Sequence, residues 1–276
     1  MASGTHYWQV LQDGRLDGLE MRMLLCFVTG VTRTTLAAWP ERVLGTEELV
    51  RLEALVGRRV AGEPMAYLIG RREFFGREFS VDRRVLIPRP ETELLVELAL
   101  ERLPPQGRVL DLGTGSGVIA VSLACERPDL QVDATDVSAQ ALDVARGNAQ
   151  QLGARVRFHE SDWLSGLTAG ERFDLIVSNP PYITANDPHL QNGDLRFEPL
   201  TALTDHADGL SALRTIIAGA PLHLASDAWL LLEHGYDQAQ AVRALLSEAG
   251  LTGVQSWTDL AGIERVSGGR GPSFSD

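Results

Sequence analysis

Between Arg108 and Ser178 short apolar runs alternate with stretches of helical spacing, and this alternation limits the possible folds more than any other feature. Arg108 to Leu112, Gln131 to Asp136, Val156 to Glu160 and Phe173 to Ser178 read as buried strands. Val118 to Ala124 and Ala139 to Gln151 are helical between them. Strands that alternate with helices pair in parallel, because a crossover helix returns the chain to the same end of the sheet. Trp229 to Glu233, Val254 to Trp257 and Glu264 to Val266 add three strands, with Gln238 to Ala249 helical after the first. The expectation is an α/β fold, a doubly wound, mainly parallel sheet of seven strands. Gly268 to Asp276 reads as a frayed end.

The first third is different. From Gly18 to about Gly62 apolar residues such as Leu49, Leu52, Leu55 and Val56 recur at helical spacing, punctuated by Gly30, Pro40, Gly45 and Gly57. Phe74 to Val81 reads as strand, turn and strand, with Gly76 in the turn. Pro90 and the acidic residues after it open a helix through Leu94 to Leu98. Three segments follow: a helical domain over 1–73, a β-hairpin linker over 74–87 and a sheet domain over 88–276.

Charge divides the chain in the same place. Net charge is −12, yet residues 1–90 hold 13 Arg against 11 acidic residues, or +2, leaving 12 against 26, or −14, for the remainder. A negative chain repels a phosphate backbone, so no direct nucleic-acid binding is expected. All 25 basic residues are Arg, which excludes a P-loop lysine and a Schiff-base lysine. Cys26 and Cys125 stand far apart and read as small buried apolar residues, and the six His lack metal-ligand spacing, so no disulfide and no metal are expected. There is no apolar run of membrane-spanning length and no leader pattern at Met1 to His6, so the expected location is the cytoplasm.

Ser178-Asn179-Pro180-Pro181-Tyr182 falls at the end of a buried strand, where open α/β sheets place their chemistry. Two prolines stiffen the loop and donate no backbone hydrogen bonds. The Asn179 amide, the Pro180 carbonyl and a planar Tyr182 make a clamp for a flat group bearing NH2, either an amide or an amino-substituted ring. Asp111-Leu112-Gly113-Thr114-Gly115-Ser116-Gly117 lies between the first sheet strand and its helix, where glycines let a ligand approach the backbone. The spacing is G-x-G-x-G and fits the dinucleotide fingerprint imperfectly. Asp136 ends the next strand, nineteen residues beyond Gly117, where a carboxylate accepts hydrogen bonds from ribose hydroxyls or caps the helix near Ala139. Trp163 follows the third strand and either meets an adenine ring or belongs to the core.

Together with Leu86-Ile87-Pro88-Arg89-Pro90-Glu91-Thr92-Glu93, Arg196-Phe197-Glu198-Pro199 and Asp259-Leu260-Ala261-Gly262, these motifs resemble the peptide chain release factor N5-glutamine methyltransferase family (PrmC/HemK) over roughly residues 62–270. The resemblance implies a class I S-adenosylmethionine-dependent methyltransferase with a Rossmann-like sheet. It implies that Gly113, Thr114, Gly115, Ser116 and Gly117 wrap the methionine moiety, that Asp136 holds the ribose and that Trp163 lies at the adenine end. Asn179, Pro180, Pro181 and Tyr182 would hold the substrate glutamine, with Asn179 also beside the cofactor. The implied partner is a class 1 release factor presenting Gly-Gly-Gln, methylated on the glutamine side-chain nitrogen. The chain departs from the family at Asp205-His206 and Ser226-Asp227, where glycine pairs are usual, and at Leu213, where an aromatic is usual.

An amide nitrogen is a weak nucleophile, but alignment with a sulfonium methyl supplies much of the required rate. If Asn179 and the Pro180 carbonyl accept its two N–H bonds and Tyr182 stacks on its plane, no general base is needed before transfer. Other readings are a glutamine methyltransferase of a ribosomal protein, an amino-methyltransferase of DNA bases, a nicotinamide-dependent oxidoreductase and a non-catalytic cofactor-binding scaffold. The front domain, with Arg58-Arg59, Arg71-Arg72 and Arg83-Arg84, is the expected reader of the protein substrate.

Overall fold

A computed structural model describes residues 4–273. The front of the chain is helical: α1 (Tyr7–Leu11), α2 (Gly18–Thr29), α3 (Arg33–Ala38), α4 (Thr46–Val60) and α5 (Met65–Ile69). The Asp17 carboxylate accepts the N–H groups of Leu19 and Glu20 and starts α2, which Gly30 ends in the left-handed conformation. In α4, Leu52 and Val56 are buried and Leu49 and Leu55 pack half-buried on the same core with Leu24, Leu25 and Leu36. Gly57, read from sequence as a break, lies inside α4, since a single helical glycine costs only about 1 kcal/mol.

The chain divides at Arg71 and Arg72 into two compact units, and the second contains the whole sheet. Its hairpin, β1 (Arg71–Phe74) and β2 (Arg77–Ser80), is not a free linker. Phe74 and Phe79 are fully buried, meeting edge to face at 6.1 Å within the core of the sheet unit. Asn148 donates to the Ser80 carbonyl at 3.0 Å and accepts the Ser80 N–H at 2.8 Å, tying β2 to the helix behind it. Two large aromatic rings hold this segment down, so the expected boundaries at 73 and 87 move forward to 71.

After a 3₁₀ turn at Pro90–Thr92 come α6 (Glu93–Arg102), β3 (Arg108–Leu112), α7 (Val118–Glu126), β4 (Gln131–Asp136), α8 (Ala139–Leu152), β5 (Val156–Glu160) and β6 (Phe173–Ser178). Then follow α9 (Leu200–Leu203), α10 (Ser211–Gly219), β7 (Leu224–Glu233), α11 (Ala239–Glu248), β8 (Thr252–Thr258) and β9 (Glu264–Arg270). The seven-stranded sheet has the order β5-β4-β3-β6-β7-β9-β8. It is parallel from β5 to β7 and antiparallel across β9 and β8. Alternate strand residues feed two cores. Val109, Leu175, Val177 and Leu231 pack with α6, α7 and α8, while Leu110, Leu112, Ile176, Leu230 and Leu232 pack with α10 and α11.

Gly268 and Gly269 are buried inside β9, which corrects the expectation of a frayed end from Gly268; Phe274 to Asp276 lie outside the described residues. Cys26 and Cys125 are half-buried instead of fully buried. Among the described residues no helix is long and apolar enough to cross a membrane.

Candidate active site

The chain leaves β3 at the centre of the sheet, builds β4 and β5 on one side, then crosses to β6 and β7 on the other. The carboxyl ends of β3 and β6 therefore flank the switch point where such sheets bind ligands. Leu112 pairs with Thr135 and with Ser178, and Ser178 pairs with Leu232. One residue further along each strand stand Gly113, Asp136, Asn179 and Glu233, a row of four across β3, β4, β6 and β7. The Ser178 hydroxyl donates to the Leu112 carbonyl at 2.7 Å and fixes the two central tips together.

A cleft of about 380 Å³ opens over this row, lined among others by Gly113, Thr114, Gly115, Ser116, Asp136, Ser138, Trp163, Asn179 and Pro181. Gly113 has φ of +70°, and a Cβ there would lie 3.1 Å from the Trp163 ring, so a side chain at that point would be strained and would crowd the ring. The Asp136 carboxylate accepts the Gly115 N–H on one oxygen and the Ser138 N–H on the other, both at 2.9 Å. Burial raises its pKa against those two donors. The helix-cap alternative for Asp136 falls to Ser138, whose hydroxyl accepts the Ala141 N–H at 3.2 Å. Each Asp136 oxygen retains a lone pair, so a pair of ribose hydroxyls still finds two acceptors. Val137, 65% exposed, and Trp163 give the same wall an apolar surface suited to a planar ring.

Three sequence candidates lie outside the cleft wall. Gly117 caps α7, where a Cβ would stand 3.0 Å from Ala145. Pro180 is buried. Tyr182, expected to stack on the substrate, turns its hydroxyl to Glu233 at 3.4 Å while its carbonyl accepts the Gln238 amide at 3.0 Å. Burial holds the Tyr182 phenol above its usual range, so it stays protonated and donates. Asn179 Nδ2 donates to Thr92 Oγ1 at 3.1 Å, leaving Oδ1 as the free end of the amide.

Four residues given no individual role from sequence support this arrangement. Glu198 is buried, accepts the Ile87 N–H at 2.9 Å and pairs with Arg89, joining two motifs 109 residues apart. Thr92 is buried behind Asn179, and Glu233 is 1% exposed behind Tyr182 with its pKa pushed up to about 7 by burial. Glu233 is a lone carboxylate at the end of an apolar run, while Arg89, Thr92 and Glu198 stand in polar motifs whose partners lie far away in the chain.

The Arg58-Arg59 and Arg83-Arg84 pairs have partners within the chain. Arg58 binds Glu63, Arg59 binds Glu20 and Arg84 binds Asp82, while Arg83 lies over the Phe197 ring. The departures from the family are also resolved. His206 and Asp227 have φ of +57° and +59°, so each occupies the left-handed conformation that a glycine adopts freely. Asp205 accepts the N–H groups of Ala207, Gly209 and Ser211 and closes the turn, and Leu213 is fully buried on the inner face of α10.

This sheet, with a glycine turn, a strand-end carboxylate and an Asn-Pro-Pro-Tyr loop in one row, defines a class I S-adenosylmethionine-dependent methyltransferase. Residues 90–193 match the methyltransferase small domain and residues 8–70 the PrmC N-terminal domain. The chain is 55% identical to the release factor glutamine methyltransferase of Burkholderia pseudomallei, covering 96% of this chain and 95% of that one. It is 53% identical to that of Neisseria gonorrhoeae, covering 93% and 94%. A methyltransferase structure from Pyrococcus furiosus superposes with a TM-score of 0.56 at 17% identity, over 83% of this chain and all of that one, and shows the fold alone. The chain belongs to the release factor glutamine methyltransferase family.

Proposed function

We propose that this protein methylates the side-chain amide nitrogen of the glutamine in the Gly-Gly-Gln motif of a class 1 peptide chain release factor, in the cytoplasm. One observation carries the reading: the Asn179 amide lines the same cleft as Gly113, Gly115 and Asp136, with its NH2 end turned to Thr92. S-adenosylmethionine supplies an electrophilic methyl group. Gly113 to Ser116 would receive its methionine end, the Asp136 carboxylate its ribose, and Val137 and Trp163 its adenine. Asn179 Oδ1 would accept an N–H bond of the glutamine amide and hold its nitrogen in place, while the expected second acceptor, the Pro180 carbonyl, belongs to a residue outside the cleft wall. Pro181 walls the cleft beside Asn179, and Tyr182, Gly209 and Gln238 anchor the loop. No side-chain base is required, since a protonated amide loses its proton to water. The front unit, whose match is to the PrmC N-terminal domain, would supply the contact area that selects one protein from many.

The test is incubation of the protein with S-adenosylmethionine and a purified class 1 release factor, followed by peptide mass spectrometry. One added methyl group on the Gly-Gly-Gln glutamine is expected with the wild type, and a rate at least about tenfold lower with Asn179→Ala. Methylation absent from that glutamine would overturn the proposal.

A further inference from the structure

The methionine end of S-adenosylmethionine carries an α-carboxylate, and a carboxylate taken from water into a cleft needs a cation or several N–H donors to receive it. The glycine turn supplies no charge. Among the described residues the cations that line the cleft are Arg83, Arg84 and Arg89. Arg84 is engaged with Asp82 through Nε and Nη2, and Arg83 lies over the Phe197 ring. Arg89 is held at a single nitrogen: Nη2 donates to Glu198, while Nε and Nη1 have no partner among the described residues.

Arg89 also stands at the matching end of the cleft. Asp136 ends β4 and Trp163 follows β5, whereas Asn179 follows β6 on the other side of β3, so a cofactor with its ribose on Asp136 runs toward Asn179 with its methionine end. Thr92 bonds the Asn179 amide at 3.1 Å, which places the segment from Pro88 to Thr92 at that end. Glu198 fixes the guanidinium there. Its side chain is fully buried and its Oε2 accepts the Ile87 N–H at 2.9 Å, so Oε1 alone is left to Arg89. A planar guanidinium gripped at one corner keeps its orientation, and its other donors form a fork that matches a carboxylate. The Arg89 side chain is 29% exposed, enough for a ligand to reach it.

We infer that Arg89 receives the α-carboxylate of S-adenosylmethionine. The inference rests on the cofactor direction proposed above, with the ribose on Asp136 and the methyl group beside Asn179. One guanidinium then joins two carboxylates, that of Glu198 from the chain and that of the ligand, and Arg83 and Arg84 add positive charge to the same wall. The consequence is selectivity. Asp136 and Trp163 hold any adenine nucleoside equally well, whereas Arg89 distinguishes one that carries an amino acid.

The experiment is titration calorimetry of the full chain with three ligands. These are S-adenosylmethionine, its decarboxylated form, which keeps the ammonium and the sulfonium methyl, and 5′-methylthioadenosine, which lacks the whole amino-acid end. The wild type should bind the first about tenfold or more tightly than the second, as expected for a hydrogen-bonded charge pair. Arg89→Gln should weaken S-adenosylmethionine by that factor and leave the other two ligands within about threefold, which erases the preference. Thermal unfolding of each ligand-free variant shows whether it folds. If Arg89→Gln leaves Glu198 buried without its partner and does not fold, Arg89→Gln combined with Glu198→Gln removes both charges and is read in the same way. A wild type without the preference, or a variant that keeps it, would overturn the inference. So would an equal loss for all three ligands, the pattern of a merely structural ion pair. Failure of the cofactor direction itself looks different, since Asp136→Ala would then leave the affinity for 5′-methylthioadenosine unchanged.

Discussion

Gly209 stands in the left-handed conformation with no side chain because the place a Cβ would take lies 2.4 Å from the Tyr182 carbonyl and 2.8 Å from the Gln238 amide nitrogen. Gln238 bridges the backbone carbonyls of Tyr182 and Gly209, at 3.0 Å and 3.2 Å. Gly209→Ala must therefore push the Asn-Pro-Pro-Tyr loop outward or break this bridge. Transfer to the release factor should fall by about 10²-fold, the cost of displacing a catalytic group by about 1 Å, while S-adenosylmethionine affinity stays near wild type. Equal turnover in the variant would show that the loop tolerates the shift. Asp136 makes the opposite prediction. Asp136→Ala should weaken S-adenosylmethionine binding by about 1.5–3 kcal/mol, the range for hydrogen bonds to a charged group, with the sheet intact by circular dichroism. Unchanged affinity by calorimetry would remove Asp136 from the cofactor site.

The central strands were legible because most of their residues are apolar on both faces, as with Val109, Leu110, Leu175, Ile176 and Val177 in a covered parallel pair. The edges were read short for the opposite reason. Leu224 to Ala228 enter β7 through an irregular register with Asp227 at positive φ, and Gly268 and Gly269 continue β9 without a side chain to announce it. The motif residues at the strand tips could be read in order, whereas Thr92, Glu198 and Glu233 acquire meaning only from neighbours far away in the chain. Two of the polar positions within strands carry a measurable consequence. Asp111 in β3 and Glu233 at the end of β7 are fully buried, and burial pushes each up to about 7 from ordinary values of 3.8 and 4.5. Each binds its proton more tightly folded than unfolded. Their contribution is fully present below about pH 4 and is lost as pH rises toward 7 and beyond. Denaturant unfolding should therefore show this part of the stability declining between about pH 4 and 8, by on the order of a few kcal/mol for the pair. Asp111→Asn together with Glu233→Gln should flatten that slope. An unchanged slope in the double variant would mean that other groups set it.

What the front helices contribute can be tested by removing them, provided the chain is cut in the right place. Residues up to Arg71 enclose their own core around Leu24, Leu25, Leu52 and Val56, and the unit from Arg72 onward encloses two more. A chain starting at Leu86 would lose Phe74 and Phe79 from one of those cores, together with both hydrogen bonds between Ser80 and Asn148. Each buried phenylalanine is worth about 3–5 kcal/mol, and a domain has only about 5–15 kcal/mol in all. Such a chain is expected to be unfolded and would say nothing about recognition. A chain starting at Arg72 keeps both rings, the cleft and every residue of the row from Gly113 to Glu233. It should unfold cooperatively and bind S-adenosylmethionine with wild-type affinity. A pocket that grips one planar amide offers too little surface to choose a single protein, so methylation of an intact release factor should fall by about 10²-fold or more. A short Gly-Gly-Gln peptide, which offers the front unit little to hold, should be methylated equally by both chains. Full activity of the Arg72 chain on the intact release factor would refute substrate recognition by the front unit and leave it a structural part.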